Sequence, residues 1–123
     1  MDPAALRART KKFAVDTIRF AKRLPNDRIT NRIIGQLTDS AGAVASGYRA
    51  VCRARSRADF IYKLGNTIEE TDESALWLEI LNEAELCPRS DTDPLWQEAD
   101  ELVRILVRSR ETARANRQSR TPK

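Results

Sequence analysis

Apolar residues recur along this chain at helical spacings, and each run is bracketed by residues that start or stop helices. In the first run, Leu6, Phe13, Phe20 and Leu24 form a stripe with Ala14, Ile18 and Ala21 beside it. Asp2 supplies an N-cap, Pro3 suits the first helical position, and Pro25 with Asn26-Asp27 closes the segment, which predicts a helix over 3–24. In the second run, Ile34, Leu37, Ala41, Val44, Tyr48 and Val51 alternate at spacings of three and four, a seam like that of a coiled coil within a helix over 29–54. Ser40, Ala43, Gly47 and Ala50 form a parallel row of small residues that permits a close helix–helix approach. Gly42 and Gly47 each cost ~1 kcal/mol against Ala inside a helix, so close packing or a kink is expected around them.

The third run opens at Ser56, with Asp59 three residues on, a loose form of the capping box. Ile61, Leu64, Ile68, Thr71, Ala75 and Leu78 continue the rhythm, Trp77, Leu81 and Ala84 add a second strip, and Phe60 widens the first. A helix over 57–86 is predicted, ended by Cys87-Pro88. Its broad apolar circumference predicts contact with its own bundle on one side and with another chain on the other. Tyr48, Phe60, Trp77 and Leu81 are the expected interface residues. The fourth run has Asp93 and Pro94 as its start and Leu95, Ala99, Leu102 and Leu106 as its stripe, with Trp96 and Val103 alongside, a helix over 94–107. The apolar signal stops after Val107, so residues 108–123 are expected to fray into a basic tail, outside a single domain over 1–107. Short connections make consecutive helices antiparallel, so the fold expected is all-α, an up-down-up-down four-helix bundle.

Composition narrows the chemistry. The 123 residues include no His and only two Cys, Cys52 and Cys87. Without His, the commonest general base and zinc ligand are gone, and two cysteines cannot make a four-cysteine zinc site. Glu69, Asp72, Glu73, Glu79 and Glu83 resemble a carboxylate-rich bundle, but a di-iron site of that kind pairs Glu with Glu-x-x-His. Their expected role is a hydrated face complementary to Arg. No catalytic residue, metal or cofactor is therefore assigned, and an enzyme is not expected. Cys52 is expected in the core and Cys87 at an exposed helix end; Trp77 and Trp96 read as packing anchors. No apolar run approaches the ~20 residues of a membrane span, and the start of the chain lacks a secretory pattern, so a cytoplasmic location with reduced thiols is expected, with no membrane partner.

Charge is unevenly distributed. Residues 1–31 carry net +5, residues 32–63 net +4, residues 64–101 net −11 and residues 102–123 net +6, leaving +4 overall. Such blocks either complement each other between neighbouring helices or mark a binding surface. Arg49, Arg53 and Arg57 recur every four residues, with Arg55 between the last two and Lys63 beyond. The planar guanidinium suits phosphate; the same cluster is also placed to pair with Asp59 and Glu69. From Arg108 onward, Arg108, Arg110, Arg114, Arg117, Arg120 and Lys123 face one acid, Glu111, and form a second candidate for electrostatic binding. No RNA-recognition aromatic motif, zinc finger or Gly-rich phosphate loop is present to read bases.

Residues 36–82 carry a resemblance. Tyr48-Arg49-Ala50, Cys52-Arg53-Ala54-Arg55-Ser56, Asp59-Phe60-Ile61, Lys63-Leu64-Gly65, and Glu69-Glu70 through Asp72-Glu73-Ser74 to Trp77-Leu78-Glu79 resemble the bacterial four-helix-bundle family that includes proteins encoded in intervening sequences of 23S ribosomal RNA genes. Many members carry Asn just before the Tyr-Arg-Ala run, where this chain has Gly47. The resemblance implies a non-enzymatic, ring-like homopentamer. It is more distantly similar to the accessory variability determinants of diversity-generating retroelements, which implies RNA or DNA and a reverse transcriptase as partners. The expected function is nucleic-acid binding by Arg49, Arg53, Arg55, Arg57, Lys63, Arg108, Arg110 and Arg114; the alternative is a scaffold that engages another protein, its charge serving subunit assembly.

Overall fold

A computed structural model describes residues 1–119, which form four helices in chain order: α1 (Pro3–Ala21), α2 (Arg28–Cys52), α3 (Arg57–Glu83) and α4 (Arg89–Ser119). Each helix packs against its neighbours in a cycle, while the diagonal pairs α1–α3 and α2–α4 do not approach along their lengths. The α2–α3 and α3–α4 seams are extensive and the α1–α4 seam is the slightest.

Capping explains the first three starts. Asp2 accepts from the Ala5 amide at 2.9 Å, and Pro3 occupies the first helical position. Asp27 caps α2 through the Thr30 amide and hydroxyl, at 2.9 and 3.0 Å. Those bonds hold its carboxyl below the usual range. Ser56 caps α3 by accepting from the Asp59 amide at 3.0 Å. The Asp59 carboxylate reaches back to the Arg55 amide at 3.1 Å, one residue before the position a strict capping box would use.

Several ends differ from expectation. α1 stops at Ala21 and α2 at Cys52, ahead of the anticipated residues 24 and 54. α3 stops at Glu83 because Glu85 turns left-handed (φ 62°). The Leu86 amide then donates to Leu81 O and the Glu85 amide to Asn82 O, both at 3.0 Å, a Schellman closure. α4 begins at Arg89, not at Pro94, which lies inside the helix. Buried Thr92 donates to Arg89 O at 3.2 Å and anchors this extra first turn.

The expected tail is the largest correction: residues 108–119 continue α4 as helix, and only residues 120–123, with Arg120 and Lys123, lie outside the described residues. Good helix formers fill this stretch. Ala113 is buried, and Arg110 lays its side chain over Gly65, its Nη1 3.9 Å from where a β-carbon would stand.

The core combines Leu6, Phe13 and Phe20 with the α2 seam from Leu37 to Val51, Leu64, Leu78 and Leu81 of α3, and Leu95, Leu102 and Leu106 of α4. Gly47 is a point of close α2–α3 approach: a β-carbon there would lie 2.7 Å from Thr67 Oγ1. Nearby, the buried Ser74 hydroxyl donates to Ser40 Oγ at 3.0 Å across the same seam. Gly42, grouped with Gly47 by sequence, has open space at its β position.

Candidate functional site

The antiparallel α1–α2 pairing sets the start of α1 beside the end of α2, and the four-residue corner 53–56 returns the chain into α3. Arg7 and Lys11, one turn apart on α1, therefore face Arg49 on α2. Arg53 and Arg55 come from the corner and Lys63 from the second turn of α3. These six cations line one groove of about 550 Å³, whose remaining lining is Gly42, Ala45, Ser46 and Ala50. Small side chains thus keep the floor open between the basic walls.

Among the described residues the groove has no carboxylate in its lining. Lys63 pairs with Asp59 at 2.9 Å, and Asp59 is held below the usual carboxylate range by Lys63 and by the Arg55 amide. Among the described residues, Arg7, Lys11, Arg49, Arg53 and Arg55 form no ion pair. Of the anticipated pairing between the basic cluster and Asp59 or Glu69, the pair formed within the protomer, among the described residues, is Lys63 with Asp59. Charge complementation between helices is instead concentrated at Arg9, which binds Glu98 through two bonds of 2.8 and 2.7 Å and Glu101 at 3.0 Å. The Glu98 bonds, with Glu101, hold that guanidinium's pKa well above its ordinary value.

Four of the expected phosphate-contacting residues, Arg49, Arg53, Arg55 and Lys63, converge here. Arg7 and Lys11 were missed, although their one-turn spacing was visible; only the antiparallel return of α2 reveals their partners. Arg57 turns away to a second cavity, which it shares with Arg108. Arg110 is a packing residue, its Nε buried without a hydrogen-bond partner among the described residues. Arg114 stands exposed on α4.

The expected interface residues divide. Tyr48 is 6% exposed and Leu81 is 0%, both within the protomer's own core, so neither has surface left for a neighbouring chain to cover. Burial, with Cys52 adjacent, pushes the Tyr48 hydroxyl up to about 12. Phe60 and Trp77 are half-buried. Trp77 donates to Glu73 at 3.3 Å and Trp96 to Glu79 at 2.9 Å, so two acids of the carboxylate run serve as indole acceptors. Cys52, expected in the core, is exposed, because it follows Val51 at the end of α2 and points off the seam. Cys87 is half-buried, and burial raises its thiol pKa, with Asp91 adding to the effect. Among the described residues no group of three or more Asp, Glu or Cys is arranged to hold a metal, and no helix is long and apolar enough to cross a membrane.

Residues 5–108 match the family model described as 23S rRNA-intervening sequence protein. No curated protein matches the chain. Among solved structures, a protein of unknown function from the S23 ribosomal protein family of Bacteroides thetaiotaomicron VPI-5482 superimposes with a TM-score of 0.83. It is 26% identical and the match covers 90% of this chain and 99% of that one.

Proposed function

The chain belongs to the 23S rRNA-intervening sequence protein family, and on that footing we propose that it is a non-enzymatic nucleic-acid-binding protein that holds phosphates in the basic groove and works as a homopentamer. The observation that carries this reading is the groove's charge: five cations from two helices and a corner, with no ion pair among the described residues, and Lys63 as the sixth. Guanidinium forks favour phosphate oxygens, and the open floor at Gly42 admits a backbone. Nothing in the groove is built to discriminate bases, so contact with the sugar–phosphate chain is the expected mode. Exposed Ile29, beside half-buried Ile33 and Trp77, and exposed Leu76 on α3 support an assembled form. Five copies would multiply a modest protomer charge into a substantial field.

Fluorescence anisotropy with a labelled single-stranded oligonucleotide at graded salt tests the proposal. Six phosphate contacts predict an affinity loss of about 10²–10³-fold between 50 and 200 mM salt. Arg49→Gln with Arg53→Gln should reduce the salt slope by about one to two units. Absence of binding at low salt, or binding indifferent to both substitutions, refutes the groove; a monomer throughout the micromolar range in native mass spectrometry refutes the pentamer. Recovery of a protein partner that survives nuclease treatment, with no nucleic-acid affinity, would favour the scaffold alternative.

A further inference from the structure

A second cavity, of about 700 Å³, lies where the start of α1 and the first turn of α3 meet the last turns of α4. It exists because α4 continues past Val107: Arg108, Ser109 and Thr112 form one wall, and Phe60 and Ile105 supply apolar surface. Arg57 completes it from α3. The cavity's third arginine, Arg9, is already engaged by Glu98 and Glu101. Arg57 and Arg108 have no ion-pair partner among the described residues.

An aromatic ring, two unpaired guanidinium groups and two hydroxyls, with the Glu101 carboxylate of the lining paired to Arg9, match a flat, apolar body bearing an anion. The volume falls within the range of small-ligand sites. Its position adds a second constraint: only Ser56 separates Arg57, in the cavity, from Arg55, in the basic groove. A strand whose phosphates follow the groove reaches the cavity at this corner.

We infer that the cavity receives one unstacked nucleotide, its base against Phe60 and its phosphate at Arg57 and Arg108. The inference rests on the nucleic-acid reading and extends it: the groove holds any phosphate chain, whereas the cavity selects a strand with a base free to leave its stack. Stacking on an aromatic side chain tolerates any base, so the selection is for single-strandedness and not for sequence.

The test uses the full chain and a single-stranded 12-mer with 2-aminopurine at its centre, the same 12-mer paired into duplex, and free adenosine monophosphate. Phe60→Leu keeps an apolar side chain and removes the ring; Arg108→Gln changes an exposed residue and leaves folding intact. Each variant is expected to lose about tenfold in affinity for the single strand, to keep the parent's affinity for duplex, and to lose the rise in 2-aminopurine emission expected when the parent draws the base out of its stack. Phe60→Leu and Arg108→Gln binding the single strand as tightly as the parent, while Arg49→Gln weakens it, overturns the cavity and leaves the groove standing. Binding of adenosine monophosphate that depends on Phe60, with no affinity for either oligonucleotide, supports the cavity as a free-nucleotide site and overturns the groove. No binding of any of the three overturns both.

Discussion

Gly47 and Thr67 show how much depends on a single missing methyl. The Thr67 hydroxyl donates to Lys63 O at 2.9 Å, which fixes the side chain 2.7 Å from where a Gly47 β-carbon would be built. Gly47→Ala gains ~1 kcal/mol of helix propensity but incurs overpacking of about 1–3 kcal/mol. A net loss of about 1 kcal/mol is expected from chemical denaturation, recovered when Thr67→Ala is added. Gly35→Ala, with nothing within 4 Å, is expected to gain ~1 kcal/mol instead. A Gly47→Ala protein more stable than the parent would contradict the close α2–α3 approach. Threonine also explains a gap in the sequence pattern. Leu6, Phe13 and Phe20 stand seven apart because Thr10 and Thr17, each 0% exposed, occupy the positions between them. Their hydroxyls donate to Arg7 O and Phe13 O, so a residue that reads as polar is at home in the core.

Helix ends are decided by backbone geometry, and that is where pattern reading is least informed. Glu85 adopts a left-handed conformation that glycine takes without steric cost. Glu85→Gly is expected to raise stability by about 1 kcal/mol, or about 3–5 °C in Tm by calorimetry; an unchanged or lower Tm would show that the Schellman turn is not formed. The four helices, their order and most of the core were legible, because apolar spacing and the caps Asp2 and Ser56 act locally. The extra first turn of α4 was not, since Asp93-Pro94 is an equally good local start and only the burial of Thr92 selects the earlier one. The helix beyond Val107 was hidden for a related reason. Ala113 and the long side chain of Arg110 are among its contacts, and neither registers as an apolar stripe. The groove was half legible: Arg49, Arg53, Arg55 and Lys63 are close in sequence, whereas Arg7 and Lys11 join them only through the fold.

In the whole molecule, α1 is the least securely held helix. It rests mainly on α2, and its thin seam with α4 is bridged by Arg9 to Glu98 and Glu101. That bridge is partly exposed, so salt weakens it. Arg7 and Lys11 project from another face of the same helix and form a wall of the groove. The wall and the bridge therefore move together. Amide hydrogen exchange should reveal α1 as a unit that opens at lower free energy than α2 and α3. Arg9→Met should speed exchange in α1 alone; uniform acceleration across all four helices would mean that α1 does not open separately. A bound polyanion, by tying Arg7 and Lys11 to Arg49 and Arg53, becomes a staple for this helix, so occupancy of the groove is recorded as slowed exchange at amides that never touch the ligand.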